Sequence, residues 1–176
     1  GIIIVPPSLG DTVFIDKNAN GIQDPGEPGV AGVTVRLLDG SGTPILDGFG
    51  NPVTTVTDAT GLYNFTNLLA GQPYSVQFVL PSGYYFSPQY QGTDTTKDSD
   101  ADINSGITGT IVLANTQNYI ALDAGIYQLA SLGDTVFIDN NGNGIQNLGE
   151  PGIANVTVNL LYSNGSPVLD SNNLPL

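Results

Sequence analysis

Apolar residues in this chain recur at every second position over short stretches, and nowhere at the three-to-four spacing of a helix. In Val33-Thr34-Val35-Arg36-Leu37, valine and leucine fall on one side, threonine and arginine on the other. Tyr74-Ser75-Val76-Gln77-Phe78 alternates in the same way. A period of two places successive side chains on opposite faces, so each stretch predicts a strand with one buried face. Further strands are expected at Asp11–Ile15, Val53–Thr57, Leu62–Phe65, Thr108–Leu113 and Tyr119–Tyr127. Turn residues separate them: Asp39-Gly40-Ser41-Gly42, Ala59-Thr60-Gly61 and Pro81-Ser82-Gly83. Seven short strands in about 120 residues predict an all-β fold, a seven-stranded immunoglobulin-like antiparallel sandwich. A barrel is the alternative that alternation does not separate from it.

The pattern is also repeated. SLGDTVFID at 8–16 returns unchanged at 131–139, and residues 8–53 laid on 131–176 without a gap agree at 29 of 46 positions. Agreement at that level over an offset of 123 makes the unit one domain long. The expected organisation is a complete domain over 8–130 and the opening half of a second over 131–176. Residues 1–7 read as the closing strand of a preceding unit, or as a donor strand, because Ile2-Ile3-Ile4-Val5 suits a strand covered on both faces. The half-unit is too short to bury a core alone. Both ends are therefore expected to be completed in a linear head-to-tail array, by neighbouring repeats of a longer chain or by identical subunits. The longer chain is favoured, since a repeat cut in mid-domain is what a window on a longer array looks like.

Composition narrows the chemistry. The chain contains no Cys, Met, Trp or His, which removes thiols and imidazoles as nucleophiles, bases or metal ligands. Asp and Glu number 16 against 3 Lys and Arg, a net charge of −13. Phosphate-bearing partners need cations in quantity, so nucleic acid and anionic lipid are excluded. No apolar run approaches the ~20 residues of a membrane helix.

What the acidic residues do offer is oxygen. Asp16 to Glu27 fits the twelve-residue calcium-loop pattern D-x-[DN]-x-[DN]-G-x5-E. Ca²⁺ takes about six to eight oxygens, which a tight loop presents at alternate positions. Asp16, Asn18 and Asn20 would give side-chain oxygens, Ile22 its carbonyl, Asp24 an oxygen directly or through water, and Glu27 the closing pair. Gly21 permits the sharp turn. An Asx- and Gly-rich turn imitates part of this pattern without a metal. The twelve positions recur, however, at Asp139 to Glu150, with Asp139, Asn141, Asn143, Ile145 and Glu150 in the equivalent places. No helical periodicity flanks either loop, so these are loops between strands and not EF-hands. A second group, Asp98, Asp100 and Asp102, would share one face if extended and repel without a cation. A solvated acidic loop is the plainer account of that run. Asp58 and Asp123 can complete a site from neighbouring strands, although a turn or surface carboxylate is the plainer account of each alone.

The run SLGDTVFIDKNANGIQDPGEPGVAGVTVRLLD, then TDATGLYNFTNL, then KDSDAD, resembles the SdrD B-like repeat of the Cna-B-type sandwich group of bacterial surface proteins. The resemblance spans nearly the whole chain. It implies calcium-stabilised repeats acting as stalks or spacers at the cell surface, with Ca²⁺ held by the two loops and by the Asp98 group. Asn147 stands where the first loop has Asp24, which weakens the expectation for the second loop. Many Cna-B-type relatives carry a Lys–Asn isopeptide bond. Lys17 and Lys97 both fall in loops here, so none is expected.

Three functions compete on these residues. A calcium-braced structural repeat of an extracellular stalk, sheath or filament, without enzymatic activity, explains the repeat, the acidic loops and the missing catalytic residue types. An adhesin or carbohydrate-binding module would use Tyr84, Tyr85, Phe86 and Tyr90 as an aromatic platform, although such residues more often pack in the core or at its rim. A glycosidase would need one carboxyl raised by an apolar pocket, which a Gly/Thr-rich acidic loop does not provide.

Overall fold

The structure is a computed structural model and describes residues 5–170 and 172–176. The expectation for 1–7 therefore falls, over 1–4, outside the described residues. The chain divides into two compact units, Gly1–Leu129 and Ala130–Leu176.

Among its described residues the first unit contains nine strands and no helix. They are β1 (Ser8–Ile15), β2 (Thr34–Asp39), β3 (Thr54–Val56), β4 (Leu62–Phe65), β5 (Pro73–Phe78), β6 (Tyr85–Phe86), β7 (Ile111–Val112), β8 (Asn118–Ile120) and β9 (Ala124–Tyr127). One sheet has the order β4-β1-β9-β6 with β8 also beside β1, and the other has the order β3-β2-β5-β7. The faces that alternation marked as apolar meet between the sheets. Leu9 and Val13 of β1, Val35 and Leu37 of β2, Val76 and Phe78 of β5, and Ile126 of β9 are all buried there. Tyr63 packs edge-on against both Phe65 and Phe78, with ring centroids 6.1 and 5.5 Å apart.

Two features depart from the sequence reading. The sandwich is mostly antiparallel, but β1 runs parallel to both β8 and β9. The expected single strand Tyr119–Tyr127 is broken. The register steps from Gly10 beside Ile120 to Val13 beside Ala124, so the β8–β9 side carries one residue more than β1 over the same span. That is a bulge. It falls at Asp123, whose Oδ1 accepts the Thr12 N–H at 3.1 Å in place of a backbone carbonyl. Beyond the seven expected strands, the short β6 pairs with β9.

The second unit has no strand among its described residues. Its isolated bridges, Phe137–Gly152, Leu161–Pro167 and Leu169–Pro175, repeat Phe14–Gly29, Leu38–Pro44 and Leu46–Pro52 of the first unit. Burial does not repeat: Val158 is 72% exposed where its counterpart Val35 is 0%. In the first unit β1 and β2 are covered by β4, β5, β8 and β9, and those strands have no counterpart in 130–176.

Candidate metal centre

The first oxygen-rich loop begins where β1 ends. The Asp16 N–H still donates to the Ile126 carbonyl at 2.9 Å, which fixes the buried Asp16 side chain at the loop mouth. Its Oδ2 accepts from Gly21 N–H at 2.7 Å and its Oδ1 from Asn20 N–H at 3.2 Å. Glu27 closes the other side, accepting from Lys17 N–H at 2.7 Å and Asp24 N–H at 2.9 Å. The amides of Asn18 and Asn20 both donate to Asp24 Oδ2, at 2.9 and 3.0 Å. Ile22 forms an antiparallel bridge with Asp98, flanked by Gln23 N–H to the Lys97 carbonyl and Ser99 N–H to the Gly21 carbonyl. The structure thus brings the loop against the run that contains Asp98 and Asp100.

The second loop repeats this arrangement. Asp139 accepts from the Gly144 N–H above all, and from those of Asn143 and Gly142, which hold its carboxyl below the usual range. Glu150 accepts from Asn140 and Asn147 N–H groups at 3.0 and 2.8 Å. Asn141 and Asn143 turn their oxygens onto the Asn143 and Ile145 N–H groups. The difference is Asn147, whose amide donates to the Ile145 carbonyl at 2.6 Å and to Asn143 Oδ1 at 3.4 Å. Two of the oxygens assigned to a cation are occupied by that one side chain.

The three acids of the second group do not stay together. Asp98 is 4% exposed, its Oδ1 has no hydrogen-bond donor, and burial raises its pKa. Asp100 accepts the Asp123 N–H at 2.8 Å, and burial pushes its carboxyl up to about 7. Asp102 instead closes its own turn, accepting from Ser105 and Asn104, bonds that hold its pKa low. Of the two accessory candidates, Asp58 is exposed and caps the turn to Leu62. Asp123 is 1% exposed, and burial followed by the charge of Asp11 pushes it up to about 9. Asp11 itself escaped the sequence reading, which took it as the first residue of a strand. It lies beside Asp123, and burial raises its pKa too.

All these donors are hard oxygens, which suits calcium and not the softer metals that thiolate and imidazole select. Each loop fits such an ion by donor type. Among the described residues no three carboxylates converge on one point. Of the four candidate platform residues, Phe86 is in the core, Tyr84 packs against it, Tyr85 stacks on Tyr127 at 5.7 Å, and Tyr90 is exposed. Lys17 donates to the Gly26 carbonyl, and Lys97 pairs with Asp94 at 3.4 Å.

The sequence model of the SdrD B-like domain matches residues 7–126 and again 130–173. The chain belongs to the SdrD B-like domain family. Serine-aspartate repeat-containing protein D of Staphylococcus aureus strain Newman is 41% identical over 160 residues, covering 90% of this chain and 11% of that protein. The bone sialoprotein-binding protein of S. aureus strain MRSA252 is 41% identical over 163 residues, covering 92% of this chain and 13% of that protein. The chain therefore spans only a small part of these relatives' length. Among solved structures, the major pilin subunit BcpA of Bacillus cereus aligns with a TM-score of 0.41 and 20% identity, over 69% of this chain and 30% of that one. Membership of the SdrD B-like family places the chain outside the cell, as a structural repeat of a surface protein.

Proposed function

We propose that this chain is a calcium-stabilised, non-enzymatic spacer segment of an extracellular stalk, sheath or filament. The observation that carries the reading is the pair of twelve-residue loops: two copies 123 positions apart differ in sequence yet keep the same Asp and Glu anchoring contacts. An ion held at Asp16, Asn18, Asn20, Ile22, Asp24 and Glu27 would tie the end of β1 to the 97–99 run, which the Ile22–Asp98 bridge already joins. Phe86 and Tyr84 are taken up by core packing, which favours the spacer over a carbohydrate platform. The array reading extends to the second unit, whose exposed Val156, Val158 and Leu160 match residues buried in the first. Neighbouring repeats or identical subunits in a linear head-to-tail array would cover them.

A cation bound only by the folded state stabilises it by about 2.7 kcal/mol at a hundredfold excess over its dissociation constant. Thermal melting in millimolar calcium should therefore exceed that in EDTA, and EDTA should open 16–27 to proteolysis. Superimposable melting curves would refute the calcium reading.

A further inference from the structure

The opening half of the first unit returns in the second at the positions that its covering half, 54–129, touches. Seven apolar residues of 8–53 are buried, and all seven are unchanged at the 123-residue offset, among them Val13 as Val136, Val35 as Val158 and Leu37 as Leu160. All eight residues of β1 are kept, and four of the six of β2. The two that change, Arg36 to Asn159 and Asp39 to Tyr162, lie outside the core. In the second unit Leu132, Gly133, Val158 and Leu160 line an open groove.

Two glycines point to what fills it. A Cβ on Gly10 would collide with the Tyr63 carbonyl oxygen, and one on Gly29 with the Thr60 carbonyl oxygen. Neither has a left-handed backbone, so glycine is demanded there by the close approach of the 54–129 half. Both are retained, as Gly133 and Gly152. There a Cβ would meet nothing within 4 Å at Gly133 and nothing nearer than 3.6 Å at Gly152. Gly32, whose Cβ would also meet nothing, has become Asn155. A misfit lies at Ser163 in place of Gly40, where a Cβ would press on the Pro73 ring at the exposed rim.

We propose that the apolar face of 131–176 fits the 54–129 half of another copy of this chain, in the place of that copy's 8–53, and not the 54–129 half of its own. The partner is identified by the interface that the same residues make in the first unit. The restriction to another copy follows from the parallel run of β1 and β9. Ile15 lies beside Ile126, so Ser8 is at the opposite end of the sheet from Tyr127, about 25 Å away at the usual rise per residue. Only 128–130 separate Tyr127 from Ser131, and four residue steps reach at most about 14 Å. Ser131 cannot take the place of Ser8 beside its own β9. The proposal rests on the array reading above and names the partner within it.

The experiment disables the first opening half in the full chain. Val35→Asp buries an unpaired charge, so 8–53 no longer closes on 54–129. Each chain then offers one free opening half and one free closing half. Val35→Asp should form linear oligomers that lengthen with concentration and keep the circular dichroism of β-sheet. Val35→Asp/Val158→Asp should stay monomeric and unfolded, and Val158→Asp alone should leave the first unit's melting curve unmoved. A Gly/Ser insertion of about 20 residues between Leu129 and Ala130 spans about 25 Å and should turn Val35→Asp into a folded monomer. Equal oligomerisation of the single and double variants, no cooperative melt after the insertion, or a folded Val35→Asp monomer without it each overturns the proposal. Introduced cysteines separate ordered assembly from aggregation, since the chain has none. Thr12 pairs with Leu62, so L62C with T135C should give a disulfide-linked ladder in Val35→Asp, and L62C with S131C should not. Equal ladders overturn the fit. Protease resistance of 131–176 in the dilute unmodified chain would sink the array reading and this proposal with it. Sensitivity there, with no assembly of Val35→Asp, sinks the exchange alone.

Discussion

Gly21 and Gly144 occupy the same place in the two loops with nearly the same left-handed backbone, φ +79° and +74°. Their surroundings differ. A Cβ on Gly21 would lie 2.2 Å from the Pro88 carbonyl oxygen, whereas one on Gly144 would meet nothing within 4 Å. Gly144→Ala should therefore cost only the backbone strain, about 1–2 kcal/mol. Gly21→Ala adds a displaced backbone, and about 2–4 kcal/mol is expected from the two together. Urea unfolding of the two variants checks the order. The loops differ again at Asn147. Aspartate there cannot donate to the Ile145 carbonyl and adds a carboxylate, so Asn147→Asp should tighten calcium binding by the second loop, while Asp24→Asn should weaken the first. Calcium titration of each variant reads both signs, and a weaker second loop in Asn147→Asp would contradict them.

At the scale of elements, the two units separate what a short stretch encodes from what packing supplies. The bridges and Asx-anchored turns recur at the 123-residue offset without the rest of a sandwich, because their partners lie within about twenty residues. The strands β1 and β2 do not recur, although SLGDTVFID is identical in both units, because their partners come from β4, β5, β8 and β9. Leu37, 2% exposed, and Leu160, 38% exposed, should therefore respond differently to truncation. Leu37→Ala is expected to cost about 2–5 kcal/mol, and Leu160→Ala to leave the melting curve of the first unit unmoved. The same distinction explains what the sequence made legible. Period-two alternation gave β4 and β5 to within a residue and β2 to within two, and the twelve-residue spacing gave the loop contacts. The bulge was hidden because it arises from the register of β8 and β9 against a strand about 110 residues earlier. Asp11 was consequently read only as the first residue of a strand, Asp123 was paired with Asp58 as an accessory carboxylate, and Asp102 was grouped with Asp98 and Asp100 although its turn to Ser105 separates it.

For the whole molecule, the balance of acids fixes how stability responds to pH. Asp100 and Asp123 ionise near 3.8 in the unfolded chain but near 7 and 9 when folded, with burial the first cause of both shifts. Between those values the folded state binds more protons, so the stability these groups contribute at low pH is lost as pH rises. Exposed acids held low by hydrogen bonds, such as Asp39, Asp47 and Asp58, act oppositely, but only below about pH 4. In EDTA the urea midpoint should be higher at pH 5 than at pH 8; a flat or rising profile would show that the buried acids do not control it. The parallel run of β1 beside β8 and β9 bears on load. The chain enters at Ser8, next to Asn118, and leaves past Tyr127 at the far end of the same sheet, about 25 Å away at the usual rise per residue. Tension applied along a string of such units pulls its two ends in opposite directions along neighbouring strands. Their hydrogen bonds are then sheared together instead of being unzipped singly, so the connection resists stretching with all of its rungs at once.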